Sequence, residues 1–375
     1  MTNKVIRPGD TIGILGGGQL GRMMAVSAKH MGYRIAVLDP TEDCPCAQVA
    51  DLHIQAKYDD LEAAEKLSEA SDVITYEFEN VDLEVAKRFE EADKLPQGAY
   101  SLEVTQNRTK EKSIAVEADL PVADYAIVQT VDQLHEALES IGFPAVVKTI
   151  SGGYDGKGQL KFEYEEDLTK AKSFMKDGGQ YIVEKWLAFD LEISQVFTRG
   201  MDGNITFFPI GENVHRHQIL HETRVPATVS SQVETKVQEA VTRLAEKINI
   251  VGTFAVEMFV KDESIYINEM APRPHNSGHY TIEACNVSQF EQHVRAICGL
   301  PLLHVYSFPA AVMVNVLGKH RDILLSKLED YQGLHLHDYG KRDSRSTRKM
   351  GHLTIIGDRL EEIDEIIANN NIHMW

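Results

Sequence analysis

Val146-Val147-Lys148-Thr149-Ile150-Ser151-Gly152-Gly153-Tyr154-Asp155-Gly156-Lys157-Gly158 reads as a β-branched strand carrying a lysine, followed by a turn with four glycines, two charges and one aromatic. Glycine has no Cβ, so a glycine-rich turn can fold tightly and bring its N–H groups up to an anion. Lys148 and Lys157 add mobile positive charge at the same place. The combination describes a phosphate cradle. It is not a Walker loop, because the GxxxxGK[ST] spacing is absent. On its own it reads equally well as a hairpin tip with a chance lysine.

A second segment, a hundred residues later, breaks the tie. Phe254 to Val260 alternates like a strand, Lys261-Asp262-Glu263-Ser264 makes a turn, and Ile265-Tyr266-Ile267-Asn268-Glu269-Met270 returns as its partner. A hairpin with so short a connection sets Glu257 across from Glu269, on strands ~4.8 Å apart. Those carboxylates, with the Asn268 amide, suit one or two divalent ions. Magnesium takes carboxylate together with phosphate oxygens. Strand-end glutamates are often ordinary solvent-facing residues, but Glu257 sits among apolar neighbours, where an unpaired carboxylate is costly. Downstream, two prolines fix the polar run Pro272-Arg273-Pro274-His275-Asn276-Ser277-Gly278-His279 directly after the glutamate strand. Arg273, His275 and Asn276 are therefore expected beside the terminal phosphate.

These residues, with Glu184-Lys185-Trp186-Leu187, resemble the ATP-grasp superfamily and, within it, the N5-carboxyaminoimidazole ribonucleotide synthase family. The matching segments are GGGQLGRM at 16–23, TYEFENV at 75–81, SGGYDGKGQ at 151–159, NEMAPRPHNSGH at 268–279 and RKMGH at 348–352, in family order over nearly the whole chain. The resemblance implies ATP-dependent carboxylation of 5-aminoimidazole ribonucleotide with bicarbonate, by way of carboxyphosphate, in purine biosynthesis. It implies an α/β and α+β architecture: a Rossmann-like parallel sheet, a two-lobed ATP-grasp domain with a mobile lid, and a β-rich, barrel-sandwich-like C-terminal domain. The expected divisions are 1–104, 105–300 with the lid at about 115–187, and 301–375.

By the same resemblance ATP lies against Arg108, Lys148, Gly153, Tyr154, Asp155, Gly156, Lys157, Gly158, Gln159, Glu184, Lys185, Trp186, Leu187, Glu192, His215, Asn268 and Glu269. Lys148, Tyr154, Asp155, Lys157, Arg273 and His275 serve the chemistry, and Glu257 and Glu269 hold two Mg2+ ions, with Mn2+ as the alternative. The ribonucleotide falls to the backbone at Gln19 and Leu20, to Glu77 or Glu79, to Asn276, and to Lys341, Arg348 and Lys349 of the basic tail, which would fold back onto its 5′-phosphate. A charge run of that kind is usually a solvated face. A homodimer is implied as well.

Bulk properties agree and discriminate less. A chain of 375 residues with formal net charge −19 can bury several cores and lacks the broad basic field that nucleic acid or an anionic membrane requires. No run approaches the ~20 apolar residues of a membrane span, and the N-terminus shows no signal-peptide pattern. Cys44, Cys46, Cys285 and Cys298 have neither disulfide-framework nor zinc spacing. A cytoplasmic, reducing setting follows.

The first hundred residues alternate strand and helix: a strand at 11–15, a helix from about Leu20 to Met31, strands at 35–39 and 73–77, and a helical stretch between Asp59 and Ala70. Here lies the strongest rival. Gly16-Gly17-Gly18-Gln19-Leu20-Gly21 satisfies G-x-G-x-x-G, and Asp39 ends the next strand where an NAD-binding acid belongs. A dehydrogenase, however, leaves the downstream lysine, glycine turn and glutamate hairpin without a task. The other alternative is a sister ATP-grasp carboxylate–amine ligase that uses formate, as in formate-dependent glycinamide ribonucleotide transformylase. Farther on, a strand is expected from Leu120-Pro121-Val122-Ala123, a helix over 231–248, tail strands at 310–317, 333–339 and 351–356, and a last helix at 360–368.

Overall fold

The computed structural model describes residues 5–152, 158–176 and 178–372. Near the N-terminus β1 (Thr11–Leu15), β2 (Arg34–Leu38), β3 (Leu52–Ile54) and β4 (Val73–Tyr76) form a parallel sheet in the order β3-β2-β1-β4. Their near-continuous apolar runs are what a parallel sheet covered on both faces requires. The helix Gln19–His30 covers one face with Leu20, Met23, Met24, Ala25 and Ala28, and the helices Leu61–Glu69 and Leu83–Glu91 pack with the other core. The carboxyl ends of β1, β2 and β4 open toward the rest of the molecule.

A small antiparallel sheet follows: β5 (Tyr125–Val128), β6 (Ala145–Thr149), β7 (Gln159–Phe162) and β8 (Tyr181–Lys185), ordered β5-β8-β6-β7. The strand expected at Leu120–Ala123 begins instead at Tyr125. The earlier residues dock on a different sheet: the Pro121 carbonyl accepts from the Ile267 N–H at 2.8 Å, and Val122 makes an isolated bridge to Ile267. Proline has no N–H to give a ladder, so it suits this one-sided contact.

The large sheet contains β9 (Leu191–Arg199), β10 (Ile205–Phe207), β11 (Gly211–Arg216), β12 (Ile219–Val225), β13 (Gly252–Lys261), β14 (Ser264–Ala271), β15 (Ala310–Leu317), β16 (His335–Asp338) and β17 (Lys349–Gly357). Its order is β14-β13-β9-β11-β12-β15-β17-β16, with β10 paired to β9. The C-terminal strands do not stand apart. They continue this sheet through the β12–β15 ladder, which pairs Glu222 with Val314 and Val225 with Ala311.

The helix Ser231–Ile248 covers one face. Ser230 caps its start by accepting from the Val233 N–H, and Asn249 ends it in a left-handed conformation. Val237, Val241, Leu244 and Ala245 are fully buried against Phe197, Phe254 and Met258. No helix among the described residues is long and apolar enough to cross a membrane.

This packing sets an expectation. Leu244→Ala removes a fully buried side chain from the principal core and should lower unfolding free energy by about 2–5 kcal/mol, read as a reduced urea midpoint.

Candidate active site

Strand pairing brings the acidic residues to one face of the large sheet. Glu257 of β13 sits directly across from Glu269 of β14 and, on its other side, from Ser194 of β9, with a register shift immediately after Glu257. Directly opposed residues share a face, and Glu192 lies two residues before Ser194 on that face. His215 of β11 approaches Glu192 at 3.1 Å. Arg108, at the start of the helix Arg108–Glu117, approaches Glu269 at 3.5 Å.

The electrostatics of this cluster are unbalanced. Burial pushes Glu257 up to about 8, and the charges of Glu192 and Glu269 add to it. Burial also drives His275 well below its ordinary value. Its approach to Glu257 at 3.5 Å is therefore a contact with a neutral ring rather than an ion pair. His275 is set by Ser277, whose hydroxyl lies 2.9 Å from Nδ1 and accepts from the Ser194 hydroxyl at 2.7 Å. Burial opposes the charged form of His215, but Glu192 outweighs it and raises that ring. Glu257 and Glu269, directly opposed on paired strands, offer hard oxygen donors of the kind a magnesium-class ion takes.

The small sheet supplies cations from above. Lys148 of β6 donates to Glu184 of β8 at 3.0 Å, and Lys112 approaches the same oxygen at 3.8 Å. Burial raises the Glu184 carboxyl, yet Lys148 and then Lys112 pull it down to about 2. Its second oxygen, Oε1, is buried without a partner among the described residues. Lys112 also reaches the Ile267 and Asn268 carbonyls at 3.2 and 3.4 Å, and Glu111 accepts from the Met270 N–H at 2.9 Å.

Glu111 and Lys112 were not among the residues the sequence singled out. Their signal is the spacing Arg108, Glu111, Lys112, which puts three charges on one helix face. On an exposed helix that stripe is an ordinary solvated surface. Here Glu111 and Lys112 are 5% and 3% exposed.

Gly158 and Gln159 begin at the edge of β7, where the Gln159 amide donates to Gln218 at 2.9 Å. Lys185 faces Asp124 at 3.8 Å, Trp186 is exposed beneath the Lys161 ammonium, and Leu187 is half-buried. Gly153, Tyr154, Asp155, Gly156 and Lys157 lie outside the described residues.

At the N-terminal sheet the glycine turn already holds an anion. Glu77 accepts from the Gly18 N–H and, at 2.8 Å, from the Gly21 N–H, straddling Gln19 and Leu20 at the start of the helix Gln19–His30. Gly16 has φ +103°, and a Cβ there would strike Glu77. Asp39 is equally occupied, accepting from the Gly17 and Thr41 N–H groups at 2.8 and 2.7 Å and from the Tyr58 hydroxyl at 2.6 Å. A dehydrogenase needs that carboxylate for a ribose.

Arg273 is held by Glu79. Its Nε donates to Glu79 at 2.7 Å, and although burial raises the Glu79 carboxyl, Arg273 brings it below the ordinary value. The Asn276 amide is paired reciprocally with Asn315, at 3.0 and 2.8 Å.

The basic tail folds back. Gln48 donates to the Gly340 carbonyl at 2.9 Å, and Arg342 meets Asp43 at 2.9 Å. Lys341 donates to the Lys349 carbonyl at 2.7 Å and bears electrostatically on Glu77, while Lys349 bears on Glu257 and His275. Arg348 turns toward Asp343, at 3.1 Å from its carbonyl.

Comparison with known proteins bears on the whole of this cleft. Residues 113–290 match the ATP-grasp domain, 10–106 the ribonucleotide synthetase preATP-grasp domain and 311–366 the phosphoribosylaminoimidazole carboxylase C-terminal domain. The N5-carboxyaminoimidazole ribonucleotide synthase of Bacillus subtilis is 45% identical over 370 residues, 98% of this chain and 97% of that protein. The chain belongs to the N5-carboxyaminoimidazole ribonucleotide synthase family. Among solved members, the Staphylococcus aureus N5-carboxyaminoimidazole synthetase with ADP is 42% identical, with a TM-score of 0.94 over 98% of each chain. The Aspergillus clavatus synthase, solved with ADP and 5-aminoimidazole ribonucleotide, is 29% identical, with a TM-score of 0.89 over 96% of this chain and 97% of that one.

The Glu184 network predicts an acid-sensitive contribution to stability. A depressed carboxyl stabilises the fold above its unfolded value of about 4.5 and loses that contribution as pH falls through its folded value of about 2. Urea midpoints measured against pH should decline over that window in the wild type. In Glu184→Gln the decline should be shallower.

Proposed function

We propose that the cleft divides one carboxylation among its three walls. The chain is an ATP-grasp ligase that carboxylates 5-aminoimidazole ribonucleotide with bicarbonate to N5-carboxyaminoimidazole ribonucleotide, releasing ADP and phosphate. The observation that carries the assignment of parts is the face formed by Glu192, Glu257 and Glu269, with Arg108 against Glu269, while Lys148 of the small sheet holds Glu184.

In this reading ATP lies between the small sheet and the large one. Glu184 Oε1, buried without a partner among the described residues, accepts from the adenine amino group, beside the strand-edge residues Lys185, Trp186 and Leu187. Glu192, with His215 behind it, takes the ribose hydroxyls. Lys148 and Arg108 meet the phosphates, joined by the Gly153–Gln159 segment, where Tyr154, Asp155 and Lys157 act. Glu257 and Glu269, with the Asn268 amide, hold two magnesium ions. Bound there, the metal offsets the charge that develops on the transferring phosphoryl group.

Transfer of that group to bicarbonate gives carboxyphosphate, a step that requires alignment and charge neutralisation more than covalent help from the protein. Arg273 is fixed in direction by Glu79 and needs no reorganisation when negative charge builds up in front of it. Neutral His275 accepts from the Ser277 N–H at Nδ1, so its Nε2 carries the proton and can donate a hydrogen bond to the carboxyl oxygen as the ribonucleotide amine attacks the carboxyl carbon or the CO2 released from it. Exclusion of water protects the intermediate from hydrolysis.

The ribonucleotide spans the N-terminal wall. Glu77 already lies across the N–H groups of the glycine turn, so the turn presents a carboxylate to the substrate rather than an empty phosphate nest. Glu77 then suits the ribose hydroxyls or the ring amine, with Gln19 and Leu20 beside it. Asn276 acts through its backbone or after release from Asn315. Lys341, Lys349 and Arg348 take the 5′-phosphate, Arg348 exchanging Asp343 for it. Divisions near residues 104 and 300, a homodimeric assembly and a cytoplasmic setting belong to the same reading and rest on the family resemblance.

The decisive experiment measures ADP release with each substrate omitted in turn. Release should require bicarbonate and rise with aminoimidazole ribonucleotide, formate should not replace bicarbonate, and NAD should not bind. Release driven by formate, or micromolar NAD binding by calorimetry, would overturn the reading.

Two substitutions test the walls separately. Glu269→Gln should cut turnover by orders of magnitude with little change in melting temperature; activity within a few-fold of wild type would remove the metal assignment. Arg348→Ala should raise KM for the ribonucleotide about ten- to a hundredfold and leave KM for ATP nearly unchanged, because a charge-assisted hydrogen bond is worth roughly 1.5–3 kcal/mol.

A further inference from the structure

A second group of metal-ligating side chains lies outside the ATP cleft, where the short helix Thr281–Ala284 meets the C-terminal strands. One ligand atom each from Glu283, His337 and His352 lie within 4.8 Å of one another. His337 and His352 are direct partners across the β16–β17 ladder, and their rings stack with centroids 4.5 Å apart and planes 11° apart. His337 Nε2 contacts Glu283 Oε1 at 2.5 Å.

Among the described residues, the remaining atoms of this group have no hydrogen-bond partner. His352 is fully buried; its Nδ1 is held by the Tyr339 hydroxyl at 2.9 Å, and its Nε2 has no partner. Glu283 Oε2 has none either. His279, whose ring centre is 4.8 Å from that of His352, is also fully buried with Nε2 unpartnered. Buried polar atoms without partners are rare, and an unplaced ion is one of the few explanations for a group of them.

The chemistry of the donors narrows the ion. Two imidazoles and one carboxylate form the N/O set that zinc and its neighbours prefer, with three protein ligands leaving one position open. Magnesium and calcium take oxygen almost exclusively. A ligating histidine characteristically has its other nitrogen fixed by an outer partner, which is the place of Tyr339. Stacked rings must turn out of parallel to share one ion, and the terminal torsion of histidine is broad.

We propose that Glu283, His337 and His352 bind one divalent transition-metal ion of the zinc class. Glu283 lies four residues beyond the 272–279 loop, and His337 and His352 bracket the stretch containing Lys341, Arg348 and Lys349. The ion therefore clamps the strands bearing the basic tail to the loop bearing Arg273 and His275.

The test uses the full chain, freed of metal by a chelator and titrated with Co2+ in excess Mg2+, which saturates the carboxylate cluster. The wild type should develop the visible absorption bands of a low-symmetry cobalt site, saturating at one equivalent and displaced by Zn2+. Its melting temperature should rise with occupancy. Glu283→Gln and His337→Ala, checked for fold by circular dichroism, should lose the bands. Tyr339→Phe should weaken binding roughly 10–100-fold, and Glu269→Gln should retain the site. No saturable binding by folded wild type, bands that persist in both ligand variants, or bands lost in Glu269→Gln would each overturn the proposal.

Discussion

The cleft depends on one buried carboxylate having its cations. Glu184 sits at 4% exposure between Lys148 at 3.0 Å and Lys112 at 3.8 Å. An isolated charge at that depth is strongly disfavoured, so the small sheet carrying Glu184 and Lys148 cannot leave the helix carrying Lys112 without stranding charge. The same lysine donates to the backbone of β14 at Ile267 and Asn268, and its neighbour Glu111 holds the Met270 N–H. Together these contacts fix the strand bearing Glu269 to the strand bearing Glu184. The direction in which the small sheet faces the acidic strand is thus set by pairing of buried charge, while Ile114, Ala115 and Leu120 add apolar packing against Ile267 and Met270.

Much of this was legible in the chain. A strand–turn–strand of fixed length dictates which residues oppose each other, because side chains alternate with period two; that is why Glu257 and Glu269 are found face to face. The helix Ser231–Ile248 was equally plain from its apolar spacing. Non-local facts were harder to see. Nothing near Arg273 in the chain announces Glu79, nearly two hundred residues earlier. The charges at Glu111 and Lys112 look like a solvated stripe until tertiary packing buries them. The register shift after Glu257 leaves no trace in composition. The strand placed at Leu120 moved because Pro121 bonds outward to β14.

The glycine turn shows why a motif specifies physics before it specifies a ligand. Open N–H groups at a helix start attract negative charge whatever carries it. In a dinucleotide enzyme a pyrophosphate satisfies them; in this chain the Glu77 side chain does, while Asp39 is consumed by Gly17, Thr41 and Tyr58. The two uses share the same glycines and differ in residues that no local pattern includes.

The large sheet runs unbroken from β14, with its Glu269, to β16, crossing the gap between the segments that match the ATP-grasp and carboxylase C-terminal families. The seam at β12–β15 is a backbone ladder in which Glu222 meets Val314 and Arg224 meets Val312. A chimera that grafts the last seventy or so residues of a relative onto this chain has to reproduce that ladder residue for residue, since a slip of one turns every side chain of β15 to the opposite face. Sequence families divide here, but hydrogen bonding does not.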